Sequence, residues 1–282
     1  MNIYINEKKA DIALDTEKVL GDVIFGIEAW ISPSGCRIKT ICVDNEEKTE
    51  DELEEAFKIN IKSIQKLELT ISSWRELAAE ALTDLYQVCA IHEGSIFNER
   101  SQIVNNWKMS PGARFLESDI ADIFILANRA FEGSSITTTE LKLILEERHR
   151  ELGESENEIK GCEPQVKAIA SRLEELPLDM QTGKDKRAAE TIQLFSAMGE
   201  KLFRIFLLYK SEGLSLDTFM IGDANAKLFM EEFNSTLKEL TTAYENRDTV
   251  LVGDIAEYEL SPKLLKLYNA LYSLIKSGSP IL

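Results

Sequence analysis

Histidine is scarce in this chain, which has only His92 and His149. Glu146-x-x-His149 has the i, i+3 spacing with which carboxylate-bridged two-metal bundles bring a glutamate and an imidazole to one ion. Such sites need a second pair and two further glutamates, and His92 has Cys89, not an acid, three residues before it. The run Glu146-Glu147-Arg148-His149-Arg150 reads instead as a wet helix face. Neither histidine sits in a His-Glu-x-x-His zinc pattern. There is no Gly-x-Ser-x-Gly nucleophile elbow and no glycine-rich phosphate loop. Gly21-Asp22 and Gly222-Asp223 stand alone, and acidic pairs such as Glu231-Glu232 do not stand out among 49 acids. Cys36, Cys42, Cys89 and Cys162 are scattered without a Cys-x-x-Cys pair, so neither a zinc knuckle nor a disulfide framework is expected. No catalytic, cofactor-binding or metal-binding residues are assigned, and no cofactor is implied.

The charge is more informative. The chain of 282 residues has 32 basic and 49 acidic side chains, a formal net charge of −17. The acid is shared out: residues 1–72 carry 9 basic and 15 acidic residues, the remainder 23 and 34. An evenly acidic surface repels phosphate backbones and anionic headgroups. No nucleic-acid and no membrane partner is therefore expected, and the charge fits a soluble protein or one whose partner is basic. Met1–Glu7 lacks a basic stretch followed by an apolar one, so no signal peptide is read. The most apolar run, Leu202–Tyr209, is far shorter than the roughly 20 residues a bilayer requires and contains Arg204. These features predict a cytoplasmic protein.

The hydrophobic period changes once, near Ser72–Trp74. Before it, Ile3, Ile5, Ile12 and Leu14 flank a polar turn at Asn6–Lys9 and predict a hairpin. Asp15 or Thr16 is expected to cap a helix carrying Val19, Leu20, Val23, Ile24, Ile27 and Trp30 on its buried face, stopped by Pro33-Ser34-Gly35. Arg37–Val43 is a β-branched strand; Thr49-Glu50-Asp51-Glu52 is a capping box opening a short helix to about Phe57; Ile64, Leu67, Leu69 and Ile71 mark a last strand.

After the break the chain reads as helix upon helix. Ser72 or Ser73 caps one predicted to reach Trp107 with a kink near Gly94. A second carries Phe115, Ile120, Ile123 and Ala127. Thr137-x-x-Glu140 caps a third that runs to about Leu152. Gly153–Gly161 is expected to be a mobile loop or bend, although Glu156–Lys160 could be helical; Pro164 starts the next helix and Pro177 follows its end. Asp185–Lys210 is apolar almost all round, which suits the middle of a bundle or, alternatively, an interface between copies. Helices from Asp217 to about Glu245 and from Val250 to about Lys276 close the chain, with Pro262 at the start or a kink of the last. Asn246–Pro262 mixes acids with Val250, Val252, Ile255, Tyr258 and Leu260; it reads either as a capped helix with wet acids or as a docking edge.

The fold class expected is therefore α+β: a small module at 1–72 joined to a helical bundle at 73–282. The order hairpin, helix, strand, short helix, strand resembles the β-grasp, or ubiquitin-like, fold, and that resemblance implies a binding surface. The conjugating members end in a free Gly-Gly, whereas here the last strand enters a helix. The opening module and the 246–262 stretch together resemble uncharacterised bacterial proteins associated with motility, which implies a motility-related role. The junction Ile71-Ser72-Ser73-Trp74 has no Gly/Pro linker, so the two parts are expected to be docked, with Trp74 at their contact. The leading expectation is a non-catalytic adaptor, chaperone or assembly protein. Its partner would meet the open face or edge of the sheet, or a groove between helices. The alternatives are an enzyme or metal protein using Glu146 and His149 between the parts, and a structural homo-oligomer built through Asp185–Lys210.

Overall fold

The computed structural model describes residues 1–276. These fold as α+β: an N-terminal mixed sheet of five strands followed by a large helical region. The chain forms two compact units. The first is Met1–Arg148 with Ser211–Gly213; the second is His149–Lys210 with the described residues from Leu214 onward. The change of period at 72–74 thus falls inside the first unit.

Strands β1 (Asn2–Ile5) and β2 (Lys8–Ala10) form a hairpin. Asn6 and Glu7 take positive φ of 48° and 66° at its two-residue turn, where a turn that matches strand twist needs left-handed residues. Helix α1 (Leu20–Ile31), β3 (Cys36–Val43), β4 (Glu46–Glu47), α2 (Glu50–Ala56) and β5 (Lys66–Ser73) complete the sheet module. The sheet order is β2-β1-β5-β3-β4. β1 runs parallel to β5 with Ile3 opposite Leu67, and β3 runs antiparallel to β5 with an irregularity between Ile38 and Thr40. Side-chain alternation sends Ile3, Ile41, Val43, Leu67 and Leu69 to one face, where they bury Leu20, Val23, Ile24, Ile27 and Ile31 of α1. The opposite face carries Tyr4, Thr40, Cys42, Glu68 and Thr70.

Two boundaries differ from expectation here. The hairpin strand stops at Ala10, short of Ile12 and Leu14. α1 begins at Leu20, not after Asp15–Thr16. Asp22 Oδ2 accepts from the Lys18 and Val19 amides at 2.9 and 3.1 Å, and the Phe57 and Ile59 carbonyls take the Gly21 and Leu20 amides at 3.0 and 2.9 Å. The first orphan donors are thereby satisfied at that point of the chain.

The rest of the first unit is helical: α3 (Trp74–Gly94), α4 (Phe97–Lys108), α5 (Pro111–Asp119), α6 (Ala121–Phe131) and α7 (Thr138–Gly153), whose last residues pass into the second unit. Ser73 caps α3: its Oγ accepts from the Glu76 amide at 3.2 Å, and Glu76 accepts from the Ser73 amide at 2.8 Å. The expected single helix to Trp107 is two, parted at Ser95–Ile96, and the expected 115–127 helix is also two, parted at Ile120. Asp119 ties the sheet to these helices. It accepts from Arg37 of β3 at 2.7 Å, from Trp74 Nε1 at 3.1 Å and from Ser118 at 2.6 Å. Burial pushes the Asp119 carboxyl up, but Arg37, Ser118 and Trp74 outweigh it and hold it below the usual carboxylate range.

The second unit contains α8 (Ser155–Gln181), α9 (Asp185–Ser211), a small hairpin of β6 (Met220–Ile221) and β7 (Ala224–Asn225), α10 (Ala226–Glu245), α11 (Thr249–Asp254), a π-helical turn (Ile255–Leu260) and α12 (Ser261–Lys276). In the stretch expected as a loop or bend at 153–161, Gly153 ends α7, Glu154 breaks the helix and Ser155–Gly161 open α8, so the helical alternative for Glu156–Lys160 is the one that forms, with Ile159 fully buried and Glu158 accepting from Lys201 at 2.6 Å. Pro164 and Pro177 both lie inside that helix. The expected start at Asp217 is corrected to Ala226: residues before it form the hairpin turned at Gly222, φ +65°, and the Asn225 side chain caps α10. Phe195, Met198, Leu202, Ile205 and Phe206 of α9 lie in the core with Val166, Phe233, Leu264 and Leu271. The buried Glu151 carboxylate accepts from Arg204 at 2.7 and 3.0 Å. Among the described residues no helix is long and apolar enough to cross a membrane.

Candidate functional site

The residues singled out for chemistry lie as two pairs on different helices, Glu146 and His149 on α7 and Cys89 and His92 on α3. Glu146 is exposed and accepts from the Tyr86 hydroxyl at 3.1 Å, and His149 is exposed. His92, only 8% exposed, lies with its ring 5.2 Å from that of Phe131. Burial, and then the neighbouring Arg100, lowers its pKa, so the imidazole is neutral at pH 7. The buried Cys89 thiol is pushed up to about 12 by desolvation and then by Glu93, which removes it as a nucleophile. Among the described residues no three His, Cys, Asp or Glu side chains are gathered as a metal would require.

His92, Val104, Asn128 and Phe131 line a cleft of about 870 Å³ in the first unit, with Phe97 84% exposed at its mouth. Its walls carry both signs of charge: Arg100 and Lys108 on α4, Glu132 and Glu140 opposite. Lys142 and Thr137 already engage Glu93 and Glu140, respectively. The cleft is large enough for a small ligand, but it offers no convergent set of reactive groups.

The most unusual surface lies on α1. Its buried face is centred on Leu20, Ile24, Ile27 and Ile31, so Trp30 falls on the shoulder of that face and not within it. Trp30 is 69% exposed, against the sequence expectation, and Phe25 is 63% exposed. At 3.6 residues per turn these two rings stand about 140° apart. Asp22, Gly26 and Ala29 occupy the arc between them, all exposed. A Cβ placed on Gly26 would meet nothing within 4 Å. The result is an exposed strip of small residues and Asp22 flanked by two exposed aromatic rings. Phe25 is steadied by Phe57, ring centroids 5.9 Å apart. By contrast the open face of the sheet is polar, with Lys66 bonded to Glu68 at 2.8 Å and set 5.2 Å from the Tyr4 ring. Sequence reasoning missed this exposed pair. The signal available was Phe25, which lies off the apolar stripe.

Comparison with known proteins finds two separate stretches of the chain. A family model described as TP0873 N-terminal domain matches residues 1–73, the sheet module with α1. A second, described as a domain of unknown function (DUF8042), matches residues 157–270, from α8 into α12. An uncharacterized protein of Treponema pallidum (strain Nichols) is 32% identical over 104 residues, which are 37% of this chain and 52% of that protein. The chain thus spans about half the length of the curated relative it matches. No solved structure matches.

Proposed function

We propose that this chain is a non-catalytic protein-binding factor of the cytoplasm, an adaptor, chaperone or assembly protein, whose N-terminal module meets its partner through the outer face of α1. The observation that carries the reading is the exposure of Phe25 and Trp30 on either side of Gly26 and Ala29. Large aromatics left in water are unfavourable, and buried aromatics are the usual anchors of interfaces. If docking hides roughly 100 Å² of each ring, each contributes about 2.5 kcal/mol. The strand order β2-β1-β5-β3-β4 around one helix supports the β-grasp reading, whose modules mostly bind. The net charge of −17 favours a basic partner over nucleic acid or an anionic membrane. A motility-related role is the narrower form of this proposal and rests on resemblance alone.

The test is native affinity capture from the host's own lysate with the wild-type chain and a Phe25→Ala/Trp30→Ala variant of unchanged circular dichroism. A near-stoichiometric protein captured by the first and lost by the second is expected. A partner retained undiminished by the variant overturns the α1 assignment. No partner at all, together with turnover of a small molecule, overturns the binding function.

A further inference from the structure

The stretch joining α10 to α12 has no part in the function proposed above, and it is built unusually. A π-helical turn of six residues, Ile255–Leu260, separates α11 from α12. Pro262 explains it in part: proline has no amide hydrogen, and its ring crowds the carbonyl four residues back, at Tyr258. Widening the helix to the i→i+5 pattern relieves that conflict. The inner side of the segment is fixed. Gly253 is pressed against Pro177 of α8, where an added Cβ would come 3.0 Å from the proline Cβ, and the buried Ser261 hydroxyl donates to Glu174 of α8 at 3.1 Å.

The outer side faces water with a mixed apolar and acidic surface. Val250, Asp254, Tyr258 and Pro262 recur every four residues and are all exposed, Val250 at 66% and Tyr258 at 65%. Tyr244, at the end of α10, is exposed as well. Glu245, Asp248, Asp254, Glu257 and Glu259 lie along the same stretch, whereas Glu174 meets the inner side at Ser261. The cations nearby in sequence are Arg247, Lys263 and Lys266; Lys263 is bonded to Glu259 and Lys266 lies 3.8 Å from Asp223. The neighbouring carboxylates of Glu257 and then Asp254 raise the Tyr258 hydroxyl above its usual range.

We propose that this face docks a cationic amphipathic segment of a partner protein. Apolar side chains of the segment would rest on Val250 and Tyr258, and its arginines or lysines would meet Asp254 and Glu257. An aromatic ring beside carboxylates suits a guanidinium in particular, which can stack and hydrogen-bond at once. A second copy of a chain with net charge −17 brings the wrong sign to this face. Anionic lipid is repelled for the same reason.

The test uses the full chain and a synthetic amphipathic helix of leucine and arginine, with a version in which glutamate replaces arginine. Titration calorimetry is paired with hydrogen exchange. The cationic peptide is expected to bind and to protect residues 250–262, and the acidic version is not. Asp254→Lys should weaken the cationic peptide by roughly tenfold or more, and Tyr258→Ala by a similar factor. The same charge reversal at an exposed site of the first unit, Asp11→Lys, should change affinity less than about twofold. Equal loss from Asp11→Lys and Asp254→Lys would show bulk polyelectrolyte attraction and overturn the proposal. Protection elsewhere, or affinity untouched by Asp254→Lys, would overturn it too.

Discussion

Two buried glycines in the second unit offer a controlled perturbation, because the same methyl group should act with opposite sign at each. Gly199 lies inside α9 and Gly253 inside α11; neither has a positive φ. On helix propensity alone, alanine should stabilise either site by about 1 kcal/mol. At Gly199 the new Cβ meets nothing within 4 Å, so Gly199→Ala should realise that gain. At Gly253 it would stand 3.0 Å from Pro177 Cβ and 3.1 Å from both Cα and Cγ. Carbon atoms rest at about 3.5–4.0 Å, so α8 and α11 must part by roughly 0.5 Å or more. The obstacle is a proline ring and its backbone, which cannot rotate away as a flexible side chain would. Overpacking of this kind costs about 1–3 kcal/mol, which exceeds the propensity gain. Gly253→Ala should therefore destabilise by up to about 2 kcal/mol net, and lower the melting temperature by up to about 8 °C in calorimetry of the full chain, at roughly 2–4 °C per kcal/mol for a chain of this size. Gly199→Ala should raise it. Stabilisation by both substitutions would refute the steric argument and the close packing of α8 on α11.

Three further outcomes follow from the first unit. His92 is held neutral by burial, so its folded pKa lies below the unfolded value of about 6.5. The unfolded chain then binds the extra proton first, and stability falls as pH drops below that value; urea midpoints at pH 7.5 and 5.5 should differ less in His92→Gln than in wild type. Asp119→Ala strips Arg37 and Trp74 of their common acceptor. Because Arg37 is half exposed, the loss should be about 1–2 kcal/mol, read by urea denaturation with a change in tryptophan emission. Cys89, with its thiol pushed up to about 12, should resist maleimide in native protein while the less buried Cys36 reacts, as mass spectrometry of the labelled peptides would show.

What the sequence made legible is what local chemistry decides. The boxes at Thr49–Glu52 and Thr137–Glu140 each form as their spacing implies, with the acid returning to the cap amide at 2.9 and 2.8 Å, and of the two serines read as the cap of α3 it is Ser73 that caps it. The alternation in β5 and the stripe of α9 fell on their buried faces for the same reason. What tertiary contacts decide was left open or misread. Gly153–Gly161 is polar and left a loop, a bend or a helix at Glu156–Lys160 open; the chain bends only at Glu154, and burial of Ile159 with the Glu158–Lys201 pair selects the helix. The break at Ile120 has no glycine or proline to announce it. Pro164 and Pro177, which usually mark ends, sit within α8, where Pro177 serves as a packing surface for Gly253. Trp30 follows the helical period closely enough to be counted as core, and only the placement of α1 on the sheet shows that its ring faces water.

The central claim, that α1 is the partner-facing element, is tested most directly by crosslinking from the exposed strip between Phe25 and Trp30. Ala29→benzoylphenylalanine puts a photoreactive group between Phe25 and Trp30, and Thr70→benzoylphenylalanine puts the same group on the open face of the sheet. After irradiation in host lysate, one protein should be joined at position 29 and not at position 70, and excess unlabelled wild-type chain should compete it away. Crosslinks from position 70 alone, or none from either position, would contradict the account.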